Sequence, residues 1–172
     1  MKVEPIKKTE LYSNDSHTIE YINGTKEWYM DGNLHRLDGP AIERKNGNKE
    51  WWVAGVRHRL DGPAVVSCGY KEWFVNGLLS RLDGPAIECV DGTKEWFLNG
   101  KLHRLDGPAI EKKNGQKEWF CNGIRHRIEG PAVEHSNGAK EWWYAGKYYR
   151  SQEKWFKALE KGDKLTYLFN MK

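Results

Sequence analysis

Arg36, Arg59, Arg81, Arg104 and Arg127 follow one another in steps of 23, 22, 23 and 23 residues, and Arg150 continues the series. Histidine precedes the arginine four times, at His35, His58, His103 and His126, with Ser80 and Tyr149 at the remaining places. Two residues after the first five arginines comes a carboxylate: Asp38, Asp61, Asp83, Asp106 and Glu129. Guanidinium, imidazole and carboxylate could grip phosphate, bind a metal or move protons. A fixed period of this length means a stacked array. With two strands per copy at ~4.8 Å each, equivalent side chains then stand ~10 Å apart. Ligands ~2.0–2.1 Å from one zinc cannot be that far from each other, so no metal site is expected. Carboxylate pairs work as acid and base at roughly 5–9.5 Å with a substrate cleft between them. The same Asp before every Gly-Pro instead reads as a turn device, since an active site is normally built once.

Two readings of the arginines stay open. Arg36, Arg59, Arg81, Arg104 and Arg127, with His58, His103 and His126, could hold a nucleotide or another phosphorylated ligand through bidentate guanidinium contacts. Alternatively each arginine pairs within its own copy, with Glu27, Glu50, Glu72, Glu95, Glu118 or Glu141, or with the turn aspartate. The one-to-one count of arginine and carboxylate favours internal pairing. There is no glycine-rich phosphate loop, Ser-His-Asp arrangement or reactive-cysteine context. Cys121, beside Phe120, reads as a small buried substitute for the Leu or Val of other copies. The expectation is a protein without catalytic residues or cofactor.

The elements that would position these residues are short. Lys-Glu-Trp recurs at Lys26, Lys49, Lys71, Lys94, Lys117 and Lys140, and Gly-Pro-Ala follows the first five copies. Lys94 to Leu98 reads as a half-buried strand, Asn99-Gly100 as a tight turn, and Ala109 to Glu111 as a second strand. Pro108 has no amide to give to a ladder and should sit at a strand start or on its open side. The fold class is therefore mainly β: an elongated antiparallel hairpin ribbon or solenoid. Neighbouring strand residues point to opposite faces, so each copy shows an aromatic on both. Trp28, Trp51, Trp73, Trp96, Trp119 and Trp142 are expected to pack with Leu37, Ile42 and their equivalents as the core. The second row, including Trp52, Phe74, Phe97 and Phe120, is either covered by the connections or left as a binding platform. An uncovered row of that size would promote self-association. The pair after each turn varies from copy to copy, so partner recognition could be written there. Leu78-Leu79 is its least polar version and a candidate contact.

The array is expected over residues 1–150, with a degenerate leading copy over 1–25 and full copies from residue 26. The register extends upstream to Asp15, and Val3 to Tyr12 fills the first-strand slot. One step shortens to 22 residues because the turn after Val66 is one residue shorter. After Gly146 the pattern stops. Ser151 suits a helix N-cap, Trp155, Phe156 and Leu159 share a helical face, and Gly162 suits a stop. Leu165 to Asn170 reads as a last strand. Residues 151–172 are thus expected to be a cap over the final sheet edge, which would otherwise invite pairing with another chain.

Twenty-eight basic and 24 acidic residues give a net charge of +4 within 172 residues. Their mixing within every copy argues against nucleic acid, which leaves a one-signed face. Three cysteines, Cys68, Cys89 and Cys121, have neither disulfide nor zinc spacing. They suggest a reducing compartment. No apolar leader is visible in MKVEPIKKTE, and no stretch approaches the ~20 apolar residues of a membrane span. A cytoplasmic, membrane-free protein is expected.

The 23-residue spacing, the turn glycines and the strand aromatic together resemble MORN repeats over roughly Asp15 to Gly146. Here Trp with a second aromatic stands in place of Tyr-x-Gly, and Gly-Pro-Ala in place of Gly-x-Gly. Similar Asp-Gly-Pro-Ala copies look like those of phage and giant-virus proteins. The resemblance implies a hairpin scaffold, often self-associating. The functional expectation is a non-enzymatic scaffold for a protein partner, with capture of a phosphorylated ligand, as a viral sequestrator, as the alternative.

Overall fold

The computed structural model describes residues 5–12, 16–160 and 163–164. Asp15, Gly162 and the expected last strand at Leu165–Asn170 lie outside them. The chain divides into two compact units, Met1–Arg81 with Ala86–Val90 and Leu82–Pro85 with Asp91–Lys172. Among the described residues both are built almost wholly of antiparallel β-structure, with one short helix in the second.

In the first unit the ladder runs Pro5–Tyr12, Ser16–Tyr21, Lys26–Met30, Ile42–Glu43, Lys49–Glu50, Val65–Val66, Tyr70–Glu72, Ile87–Cys89. In the second it runs Lys94–Glu95, Ile110–Glu111, Lys117–Glu118, Val133–Glu134, Lys140–Tyr144, Lys147–Tyr149. Each copy thus gives this ladder the two strands expected of it. It also makes a second, smaller hairpin that a plain meander lacks. Trp52–Val53 pairs with Val56–Arg57, Phe74–Val75 with Leu78–Leu79, Phe97–Leu98 with Lys101–Leu102, and Phe120–Cys121 with Ile124–Arg125.

The tryptophan between the two ladders causes the split. The Trp96 amide donates to the Ala109 carbonyl at 2.8 Å, while its own carbonyl accepts from the His103 amide at 3.0 Å. Trp51 and Trp119 do the same with Ala64 and His58, and with Ala132 and His126. One residue therefore serves two hydrogen-bonding directions, and the strand turns a corner there. The small hairpins close through two consecutive positive φ angles, 49° at Asn99 and 76° at Gly100, the geometry of a type I′ turn. Ala54 and Ala145 are forced into the same region at 48° and 49°.

The core is thin. Ala41, Ala64, Ala86, Ala109 and Ala132 are all 0% exposed, and Ile42, Val65 and Val133 beside them are buried. Leu37 does not join Ile42 there. It and its equivalents Leu60, Leu82 and Leu105 are exposed, because the buried place beside the tryptophan is taken by the arginine.

The helix α1 (Gln152–Ala158) is capped as expected, the Ser151 hydroxyl accepting from the Lys154 amide. Its Trp155 is 0% exposed, and with Leu159 it packs on Ile128, Trp142, Tyr144 and Tyr149. The last hairpin is covered by these contacts.

Candidate functional site

The arginine row is heavily bonded in each copy. The Arg104 guanidinium lies over the Trp96 ring, 4.0 Å from its centroid. Its Nε donates to Asp106 at 2.9 Å, and Nη1 donates to the Pro108 carbonyl at 3.2 Å and to Glu111 at 2.9 Å. Arg36 and Arg59 sit 4.2 and 4.0 Å over Trp28 and Trp51, and donate to Asp38 and Asp61 at 2.8 Å. Arg81 lies 4.1 Å over Trp73 and pairs with Glu88; Arg127 lies 3.7 Å over Trp119 and pairs with Glu134. Of the carboxylates expected as partners, the turn aspartate is used. The Lys-Glu-Trp glutamate is replaced in that role by the glutamate of the following strand.

The glycine of Gly-Pro-Ala closes the other side of the stack. A Cβ at Gly107 would stand 2.8 Å from Arg104 Cζ, and at Gly39 and Gly62 it would stand 3.0 and 3.1 Å from Arg36 and Arg59. None of these glycines has a positive φ, so the demand is for space. The guanidinium is sandwiched between an indole and a bare backbone. Arg36, Arg59 and Arg104 in turn hold Asp38, Asp61 and Asp106 below the usual carboxylate range, chiefly through the hydrogen bond.

The histidines tie one copy to the next. His58 Nδ1 accepts from the Asn76 amide, His103 Nδ1 from Asn122, His126 Nδ1 from Ala145 and His35 Nδ1 from Ala54, each at 3.1 Å. The donor in each case is the first residue of the next small turn. In all four the Nδ1 lone pair is taken by the neighbouring copy, so the row works as a set of staples. Ser80 replaces histidine in one copy and is itself buried.

The Lys-Glu-Trp glutamates have their own partners. Glu50 accepts from Arg44 at 2.5 Å, from Arg57 Nη2 at 3.0 Å and from Trp52 Nε1 at 3.2 Å. Glu118 accepts from Arg125 at 2.7 Å and Gln116 at 2.8 Å. Burial pushes both carboxyls up, but these hydrogen bonds and charges outweigh it and hold them below the usual value. Glu72 and Glu95 lack such close donors, and burial leaves both raised. Arg57 and Arg125, at positions the sequence left free for recognition, are thus occupied with Glu50 and Glu118.

The second aromatic row is half-buried, neither hidden nor bare. Arg57 lies 5.3 Å from both the Trp52 and Phe74 centroids, and Arg125 lies 5.4 Å from Phe120. Phe97 faces Leu102 across its hairpin, and Phe74 faces Leu79. Leu79 is therefore half-buried against its own copy, while Leu78 beside it is exposed. Cys68, Cys89 and Cys121 are all free thiols. Among the described residues no group of three or more His, Cys, Asp or Glu is placed to hold a metal ion. No helix among them is long and apolar enough to cross a membrane.

Among the described residues, the recurring leucine between the arginine and the turn aspartate has no such local contact in four copies. Leu37 and Leu60 in the first unit are 80% and 79% exposed, and Leu82 and Leu105 in the second are 91% and 82% exposed. Each stands at the tip of its loop between the sandwiched arginine and the turn aspartate. Clefts open beside the tips: about 530 Å³ between Leu37 and Leu60, floored by Trp51 and Val53, and about 620 Å³ between Leu105 and Ile128, floored by Trp119 and Cys121. Sequence reasoning assigned these leucines to the core. The missed signal was their position between two residues that a Gly-Pro turn holds, where a side chain has no sheet face to turn toward.

Comparison of the chain with protein-family models finds no matching family, and comparison with curated proteins finds no match.

Proposed function

We propose that the protein is a non-enzymatic repeat scaffold whose partner is another protein, held along the leucine tips. The observation that carries this is a large apolar side chain exposed at the same place in four copies where the fold has no use for it. Scattered exposed leucines are ordinary, whereas a recurring apolar surface with adjoining clefts is the usual form of an interaction site. Capture of a phosphorylated ligand on the arginines draws less support. Their Nε and Nη1 donors are engaged by Asp38, Asp61, Asp106 and the proline carbonyls. The three free thiols favour work in a reducing compartment.

The test is site-directed photo-crosslinking in the cells that make the protein. A photoreactive residue at Leu60 should yield a discrete adduct with another protein, whereas one at Lys113, on the turn that joins the two main-ladder strands, should not. Absence of any protein adduct from Leu37, Leu60 and Leu105 alike would remove the reading.

A further inference from the structure

We propose that the tips and their clefts receive an amphipathic helix of the partner, with bulky apolar residues seven apart and lysine or arginine on its flanks. This rests on the scaffold reading and adds what the partner presents.

The chain supplies one covered tip as a precedent. Ile128 is the fifth member of the leucine series, and it packs against Trp155 and Leu159 of α1. There the Trp155 ring lies tilted at 48° against Trp142 with centroids 4.8 Å apart, beside the kind of indole that an arginine covers in the preceding copies. A helix presenting large apolar side chains at i and i+4 is therefore what the protein itself lays beside a tip of this type. The cleft between Leu105 and Ile128 begins where that packing ends, so the surface of the second unit continues an apolar contact already made.

Spacing points the same way. Two ladder strands per copy put successive tips ~10 Å apart, and seven residues of α-helix rise ~10.5 Å. A helix lying along Leu37 and Leu60 would place residues seven apart at successive tips, over the cleft between them, and along Leu82 and Leu105 it would place them at two further exposed tips. An extended strand at ~3.3 Å per residue would reach the same distance in three residues, and its odd step would turn alternate side chains away. Charge sets the flanks. Asp38, Asp61 and Asp106 stand beside the tips with side chains 83%, 83% and 84% exposed, each bonded through Oδ1 to its own arginine, so a basic residue beside the apolar stripe would share an outward-facing carboxylate with that arginine.

The probe is a fluorescein-labelled 21-residue peptide with Leu at every seventh position and at the helically adjacent fourth, on an Ala/Lys/Gln background. Its control is an isomer of the same composition with the leucines five apart. Binding to the full chain is read by fluorescence anisotropy. The heptad peptide should bind, and the isomer should bind at least tenfold more weakly. Leu37→Ser, Leu60→Ser, Leu82→Ser and Leu105→Ser combined should weaken the heptad peptide by at least tenfold, and either pair alone should halve the peptide bound per chain, in protein whose circular dichroism and melting are unchanged. Equal binding of both peptides, or indifference to the serine variants, overturns the helix proposal. Adducts from Leu60 to another protein in cells, with no peptide binding, would leave the scaffold reading standing and overturn only this one. Self-association lost in the serine variants would name a second copy of this chain as the occupant and overturn it equally.

Discussion

Gly107→Ala is the sharpest probe of the sandwich. The new Cβ would lie 2.8 Å from Arg104 Cζ and 3.1 Å from its Nε and Nη2. That is about 0.6 Å inside ordinary contact. The guanidinium has nowhere to go: Trp96 lies 4.0 Å beneath it and hydrogen bonds to Asp106, Pro108 and Glu111 fix its edge. Relief means sliding off the indole, losing about 0.5–2 kcal/mol of cation–π attraction and roughly 1 kcal/mol of hydrogen bonding. The expected cost is about 1.5–3 kcal/mol. In an Arg104→Ala background the obstacle is gone, and alanine should be neutral or stabilising by about 0.4–1 kcal/mol through the unfolded chain. The coupling in the double-mutant cycle is thus about 1.5–4 kcal/mol. The single-site costs should also rank by proximity, Gly107 above Gly39 and Gly62 (3.0 and 3.1 Å) and these above Gly130 (3.3 Å). Repeat arrays lose strict cooperativity, so native-state hydrogen exchange of the Trp96 and Arg104 amides is the proper readout. If Gly107→Ala costs as much without the arginine as with it, the glycine serves its own backbone and the sandwich argument fails.

Three further outcomes follow from the same contacts. Trp155→Ala, at a fully buried side chain, should cost about 3–5 kcal/mol, seen as lost exchange protection over residues 140–149 with little change near Lys94–Glu111. A uniform loss would mean that α1 is no local cap. Ala54→Asn should stabilise by about 1 kcal/mol, because alanine at φ 48° carries a strain that asparagine tolerates better; a lower melting temperature would contradict the turn assignment. On acidification, Glu72 and Glu95, whose raised carboxyls bind a proton in the folded state before the unfolded one does, should add stability between neutrality and the usual value of 4.5. Below that value the depressed Glu50 and Glu118 bind protons more readily when unfolded, and stability should fall. Glu72→Gln with Glu95→Gln should remove the rise and keep the fall, and a melting profile with the same rise in the variant would refute this.

The sequence made the period, the turn residues and the capping helix readable, because each rests on local chemistry. Asn99-Gly100 permits few backbone shapes, and Ser151 before an apolar face announces a helix start. What it hid were choices between competing partners. Arg104 had two plausible acids, Glu95 and Asp106, and the structure gave it Asp106 and Glu111, since the corner at Trp96 carries Glu95 into a separate row. His103 read as a candidate contact for a phosphorylated ligand, and nothing in the sequence signalled that the next turn's amide would lie on its Nδ1. Leu105 was assigned to the core on hydrophobicity alone, although the arginine's stem and planar head had already filled that space. Burial of a cation in place of a leucine is decided by packing, and no window of single-residue preferences reports it.

The staple from each histidine reaches only 18 or 19 residues along the chain. Nothing in such a clasp waits for a distant segment. A nascent polypeptide leaving the ribosome could set each copy as soon as the following turn emerged, with short closures of the kind that fold quickly. Gaining or losing one 23-residue block would likewise disturb only its two neighbours, so the length of the array is free to drift by duplication while both ends stay as they are.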